Sequence, residues 1–329
     1  MTDPSLLVAK IRARLPWCGL GAWPTPIEPA DALAQASGLE QLWVKREDCS
    51  ARAGGGNKVR GLEFLFGHAP KDTVFVTVGA DGSTHCLATA VHAARFSGAV
   101  LAQFPQRETE ASVAVRAAAG CAARCVVRAR SQGTLPLAVV RAWVSARAFG
   151  RRRWIPAGGA SARGVVGHLV GGCELASMPP PDAIVVPLGS GGTAAGLALA
   201  MGALGWPTLV VAARVAPRAV ANGWRVRSLM RRTARLLDRH GISIGSDAPL
   251  MVIDALGSGY GVPTASGEAA RATAGAFGLV LDPTYGAKAF GTLAALGAQG
   301  LRRVVFWHTF AWPGVGVLTP SSAPEGERR

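Results

Sequence analysis

The run from residue 183 to 213 carries no charged side chain, and this constrains the fold more than any other feature of the chain. It is longer than the ~20 residues that cross a bilayer, so it belongs either in a membrane or wholly inside a protein core. Glycine and proline decide between the two. Pro187, Gly189, Gly191, Gly192, Gly202, Gly205 and Pro207 cut the run into a short apolar strand, a glycine loop, a helix and a second strand. That is the pattern of a βαβ unit buried on both faces.

The rest of the chain repeats it. Apolar or β-branched runs at residues 42–44, 73–78, 99–103, 125–128, 183–186, 208–212 and 303–307 alternate with alanine-rich helical patterns. The reading is an α/β fold with parallel sheets flanked by helices, and ligands at the glycine turns that follow the strands. With 329 residues and 49% hydrophobic content, the chain suits two domains or one large unit. The basic segment 147–153, ahead of Pro156 and Gly158-Gly159, is the candidate crossing between two lobes, and 321–329 has the composition of a frayed end.

The net charge of +15 could attract nucleic acid or an anionic membrane. Only five of the 35 basic residues are Lys, however, and the arginines are scattered without interleaved aromatics. The densest cluster, Arg225, Arg227, Arg231, Arg232, Arg235 and Arg239, alternates with Val226, Leu229, Leu236 and Leu237 at helical spacing and reads as a solvated helix face. Neither a nucleic-acid nor a membrane partner is expected. Six dispersed cysteines fit reduced thiols in a cytoplasm, with Cys121 and Cys125 a buried pair rather than zinc ligands, so no metal is expected. Asp3 and the lack of an apolar core before Lys10 argue against a signal peptide and for a cytoplasmic protein.

Chemistry concentrates in three places. Lys58 ends the turn Gly54-Gly55-Gly56-Asn57 and opens a helical pattern. The backbone N–H groups and positive dipole end of a helix start disfavour a second positive charge, which favours the neutral amine that attacks aldehydes. Taken alone, such a lysine also fits an exposed helix-start residue. The second place is Gly189-Ser190-Gly191-Gly192-Thr193-Ala194-Ala195-Gly196, directly after an apolar strand, where backbone N–H groups can close around a phosphate. A Cβ at Gly191 or Gly192 would take up room that the anion needs. The same loop scans loosely as a dinucleotide fingerprint, which expects an acid at the end of the next strand. That strand has none, but it ends on Arg214, which could serve NADP, so this alternative stays open. The third place is the pair of tyrosines, Tyr260 and Tyr285, the only two in the chain, both framed by turn residues. They fit a pocket and an ordinary half-buried setting equally.

On these residues the sequence resembles the D-cysteine desulfhydrase and 1-aminocyclopropane-1-carboxylate (ACC) deaminase family, in the tryptophan-synthase-β-like, fold type II group of pyridoxal-phosphate (PLP) enzymes. The resemblance runs from Pro24-Thr25-Pro26-Ile27-Glu28 to His308-Thr309. It includes Lys45-Arg46-Glu47-Asp48-Cys49, Gly55-Gly56-Asn57-Lys58, the 189–196 loop, Gly259-Tyr260-Gly261-Val262-Pro263 and residues 282–289. It implies a two-domain α/β architecture, with residues 1–51 plus 158–329 as the large PLP-binding domain and 52–157 as the small one. It implies PLP bound to Lys58 as a Schiff base beside Asn57, with Gly189, Ser190, Gly191, Gly192 and Thr193 on the phosphate. Tyr285 is then near the pyridine ring with Tyr260 as a second catalytic phenol, and Ser83, Thr84 and His85 stand against a small amino-acid substrate. A homodimer is implied too.

Four departures stand out. Thr84 replaces a usual Asn on the ring oxygen, and a hydroxyl supplies one donor where the amide supplies two. Phe277 replaces a usual Glu, and Phe310-Ala311 a usual Gly-Gly, which puts bulk where a substrate or cofactor edge is expected. Gly286 and Thr309 stand where resembling ACC deaminases carry Glu and Leu and D-cysteine desulfhydrases carry hydroxyl residues. A neutral partner for the pyridine nitrogen favours β-elimination over opening a cyclopropane. The expected activity is a PLP-dependent lyase or deaminase releasing sulfide, pyruvate and ammonia. The alternatives are ACC deamination, racemisation, β-replacement or a specialised biosynthetic step, or PLP binding without turnover.

Overall fold

The computed structural model describes residues 3–245 and 249–311, so the segment 321–329 lies outside the described residues. Among the described residues, ten strands form two sheets: β1 (Ile27–Pro29), β2 (Gln41–Arg46), β3 (Thr73–Ala80), β4 (Ala99–Phe104), β5 (Cys125–Arg128), β6 (Arg151–Ile155), β7 (Ala183–Leu188), β8 (Leu209–Arg214), β9 (Leu250–Asp254) and β10 (Arg303–His308). The larger sheet has the order β1-β2-β10-β7-β8-β9 and the smaller one β5-β4-β3-β6. All pairs are parallel except β1 with β2.

The uncharged run becomes β7, a loop, helix Gly192–Leu204 and β8. Every residue of β7 is buried, as is nearly every residue of the helix, so neither needs a polar face. No helix among the described residues is long and apolar enough to cross a membrane. Helix Gly192–Leu204 packs closely on helix Ala162–Cys173, since a Cβ on Gly196 would stand 2.4 Å from the Cβ of His168. Helix Lys58–Phe66 meets Ala162–Cys173 more closely still, because a Cβ on Gly167 would stand 1.9 Å from the carbonyl oxygen of Arg60. Through these contacts the helix that carries Lys58 is joined to the one that follows the glycine loop.

A buried ion network fixes the same region. Arg60 donates from Nε and Nη2 to Glu47 at 2.5 and 2.7 Å and from Nη1 and Nη2 to Glu174 at 2.8 Å each. Lys45 donates to Glu174 and to the Thr25 carbonyl, both at 2.6 Å, and the Thr25 hydroxyl donates to Glu47. The motif Lys45-Arg46-Glu47 therefore ties β2 to the Lys58 helix. Breaking one partner would leave a buried charge uncompensated.

Three strands lie outside the apolar runs: β1, β6 and β9. The segment 147–153 is not a crossing but runs into edge strand β6, paired along β3. Its arginines are accommodated because their stems find partners: Arg152 lies over Trp143 at 4.6 Å, and Arg153 donates to the carbonyls of Leu65 and Gly67. An edge strand also tolerates charge that a central one would not. Cys121 is exposed and Cys125, the first residue of edge strand β5, is half-buried, so they are not a buried pair.

Candidate active site

The ends of β3, β4, β7, β8 and β10 and the loops that follow them contribute to one cavity of about 490 Å³. Its lining brings together Asn57, Lys58, Ser83, Thr84, His85, Gly189, Ser190, Gly191, Thr193, Tyr260, Tyr285 and Thr309. Of the residues expected to act in catalysis or to hold cofactor or substrate, only Gly192 stands outside it, with its missing side chain directed at Ala160 and His168, 3.7–3.8 Å away. Room for the anion is therefore not the constraint at Gly192. At Gly191 the constraint is conformational: φ is +91°, and a Cβ would approach Val226 and Leu229 at 3.4 and 3.5 Å.

Asn57 holds three pieces of the site together. Its backbone N–H donates to the Thr309 carbonyl at 3.0 Å, its Nδ2 donates to Thr193 Oγ1 at 2.7 Å, and it precedes helix Lys58–Phe66. Gly56 makes this possible: its φ is +110°, and a Cβ there would stand 2.9 Å from the Thr309 carbonyl oxygen. Lys58 follows with its amine in the cavity, where loss of solvation pushes its pKa down to about 8. Among the described residues no carboxylate lines the cavity to reverse that shift.

Ser83 is the N-cap of helix Thr84–Ala93, its Oγ accepting from Cys86 N at 3.4 Å, so its own proton remains available to a ligand. His85 is buried and neutral, its pKa taken down to about 3 by burial and by the Lys58 charge. The Thr77 hydroxyl donates to the Ile155 carbonyl at 2.9 Å and so accepts from His85 Nε2–H, also at 2.9 Å. That fixes the tautomer and leaves Nδ1 as a buried acceptor without a partner.

The Asp282-Pro283-Thr284-Tyr285-Gly286 segment is an aspartate-held turn. Asp282 accepts from the N–H groups of Thr284, Tyr285 and Gly286 at 3.0, 2.7 and 2.8 Å, and this orients the Tyr285 ring. Gly189 leaves room for that ring, its Cβ direction meeting Tyr285 Cε1 at 3.3 Å. The phenols of Tyr260 and Tyr285 hydrogen-bond each other, and burial pushes both above the ordinary tyrosine range, so they act as neutral groups. A Cβ on Gly286 would stand 2.9 Å from Asp282 Oδ2, so a Glu at 286 would have to displace the turn's own carboxylate.

The departures separate in space. Phe310 lines the cavity, whereas Phe277 is 54% exposed at the end of helix Ala265–Ala276 and outside the lining. The bulk expected near a ligand is therefore real at 310 and absent at 277, because Phe277 ends a surface helix. The dinucleotide alternative loses its residue as well. Arg214 is buried against Asp254 of β9 and does not reach the cavity.

Sequence reasoning missed Arg225, Phe104, Gln132 and Gly158 in the lining. Phe104 and Gln132 give no local signal, since only strand order brings them here. Gly158 did stand out as a turn residue: a Cβ on it would stand 2.3 Å from Ser190 Oγ and 3.9 Å from Lys58 Nζ.

The model of the family described as pyridoxal-phosphate dependent enzyme matches residues 19–309. The chain belongs to that family. Among its relatives, the nocardicin C-9′ epimerase of Nocardia uniformis subsp. tsuyamanensis is 33% identical over 328 residues, covering 94% of this chain and 97% of the relative. A D-cysteine desulfhydrase of Serratia proteamaculans is 30% identical over 329 residues and 94% of this chain. A crystal structure of an ACC deaminase homologue superposes with a TM-score of 0.81 at 27% identity, covering 95% of this chain and 96% of that one. The architecture is that of fold type II PLP enzymes, and within it the protein is of the ACC deaminase and D-cysteine desulfhydrase kind. Its cavity fits PLP on its own evidence. The amine of Lys58 is tuned toward neutrality, Ser190 Oγ is buried with no partner at the loop, and among the described residues the lining holds two cations and no carboxylate.

Proposed function

We propose that this PLP enzyme is a lyase that expels a β-leaving group from a small amino acid, with D-cysteine as the model substrate. With water, cysteine then gives pyruvate, ammonia and hydrogen sulfide. The reading is carried by one observation: among the described residues no carboxylate lines the cavity, and where the chain enters the lining after β10 it offers the hydroxyl of Thr309. PLP when bound supplies an electron sink for bonds at the substrate α-carbon. Thr309 would offer the pyridine nitrogen a neutral partner and so leave a weaker sink, which would suffice when the leaving group carries away the charge.

The chain's own groups have distinct tasks. Lys58 holds the cofactor through its amine and, once displaced, moves a proton at the α-carbon. The backbone of 189–193 takes the phosphate, while Thr84 and Asn57 orient the ring. Ser83 offers its free proton beside the substrate α-carbon, the start of helix Thr84–Ala93 faces the substrate carboxylate, and the unpartnered Nδ1 of His85 is an acceptor for a substrate donor. The neutral phenols of Tyr260 and Tyr285 pass a proton toward the departing group.

Epimerisation is the second reading, favoured by the 33% identity to an epimerase over nearly the whole chain. One assay separates them. Holoenzyme in D₂O with D- and L-cysteine, β-chloroalanine, serine and ACC is followed for pyruvate, ammonia and α-deuterium. Pyruvate from D-cysteine or β-chloroalanine, faster than any product from ACC, is the expected result. Deuterium uptake at the α-carbon without pyruvate would select epimerisation instead.

The two sheets support a division into a large domain, 1–51 plus 158–329, and a small one, 52–157. We assign the enzyme to the cytoplasm as a homodimer, a state supported by Leu137, Val140 and Val144, which lie exposed at helical spacing on Leu135–Ser145.

A further inference from the structure

Arg225 departs from the arginine face to which its spacing assigns it. Arg227, Arg231, Arg232, Arg235 and Arg239 are exposed along or just past helix Gly223–Asp238, whereas Arg225 is half-buried and lines the cavity. Asn222 caps the helix by accepting from Arg225 N at 2.8 Å, which fixes this residue in the first turn. Its Nε donates to the Ser190 carbonyl at 3.1 Å, so the guanidinium sits against the glycine loop. The helix itself packs there, since the Cβ direction of Gly191 meets Val226 and Leu229.

Two facts say that this guanidinium has work to do. Among the described residues no carboxylate lines the cavity to pair with it, and Ser190 Oγ, on the residue whose carbonyl it holds, is buried with no partner. A guanidinium without a carboxylate and a hydroxyl without a partner therefore meet at Ser190, and Lys58 is the other cation of the lining.

We propose that Arg225 is a ligand of the cofactor phosphate. Its Nε contact with Ser190 aims the Nη groups at the anion, and it adds a side-chain charge to a cradle otherwise made of backbone N–H groups and hydroxyls. Guanidinium suits this because its planar fork matches phosphate oxygens and charge-assisted bonds are stronger than neutral ones. The proposal rests on the reading of 189–193 as the phosphate loop.

The test compares PLP with pyridoxal, which has the aldehyde but no phosphate. Apo-protein is titrated with each, following absorbance of the Lys58 adduct, for the wild type, Arg225→Met and Arg225→Lys. Circular dichroism checks that the variants fold. The wild type should prefer PLP strongly. Arg225→Met should lose roughly 10- to 100-fold in PLP affinity, the worth of one hydrogen bond to a charged group, with pyridoxal affinity unchanged. Arg225→Lys should recover part of the loss and guards against misfolding of the Met variant. An undiminished preference for PLP in Arg225→Met overturns the proposal, and does so in favour of a substrate anion if KM for the amino acid rises instead. A wild type that binds PLP and pyridoxal equally overturns the phosphate-loop reading itself.

Discussion

Lys58 combines an amine, partial burial and a cavity lined by no carboxylate among the described residues, and this setting has measurable consequences. Because burial lowers its pKa to about 8, the rate at which PLP attaches to apo-protein should rise through about pH 8 rather than 10.5. Between those values the unfolded chain binds the extra proton, so the apo-protein should also gain stability as pH rises. Borohydride reduction and peptide mapping should find the adduct on Lys58; an adduct on Lys10, Lys45, Lys71 or Lys288 would sink the assignment. The hydroxyls divide the remaining work. Ser83→Ala should cut turnover by roughly 10²–10⁴-fold, the worth of one positioned proton donor, with cofactor absorbance intact. Thr309→Val should instead shift the cofactor spectrum as well as slow turnover, since it removes the neutral partner of the ring nitrogen. Full elimination activity in Ser83→Ala would refute this division.

At the scale of elements, the loop after β7 is shaped by backbone conformation and by the helix beneath it. Gly191 and Gly192 look alike in sequence but differ in what a side chain would meet. With φ at +91° and Val226 at 3.4 Å, Gly191→Val should lose cofactor affinity at least tenfold and lower the unfolding midpoint. Gly192→Ala, with its methyl 3.7–3.8 Å from Ala160 and His168, should change cofactor affinity less than threefold. PLP titration and thermal melts of both variants check the contrast, and equal losses would mean that room for the anion governs the loop after all.

For the molecule as a whole, the cavity draws its lining from both sheets: Phe104 ends β4 of the smaller, while Thr309 follows β10 of the larger. A cofactor bound there contacts both, so removing it should weaken the entire structure. At a free PLP concentration 100-fold above its Kd, linkage gives about 2.7 kcal/mol of added stability. Apo-protein should accordingly melt several degrees below holoenzyme in a calorimetric scan, with the gap closing in Arg225→Met at limiting PLP. An unchanged melting temperature would show that the sheets are joined without help from the cofactor.

The sequence by itself determined the parallel α/β character, because uninterrupted apolar runs split by glycine and proline have no other soluble solution. It also pointed to Lys58, the glycine loop and both tyrosines, because each is bracketed by turn residues, but on the residues alone the lysine fitted an exposed helix start and the tyrosines an ordinary half-buried setting as well; only the tertiary structure brings them into one cavity lining. Strand β6 was hidden because its pairing depends on arginine stems finding Trp143 and the carbonyls of Leu65 and Gly67, contacts made across the fold. Arg225 was hidden for a related reason. Helical periodicity describes a face, but whether one residue on that face meets water or the loop at 189–193 depends on where the helix lies. Phe277 and Phe310 make the same point in reverse: equivalent as departures in the chain, one is solvent-exposed and the other lines the cavity, because only packing distances decide what a side chain touches.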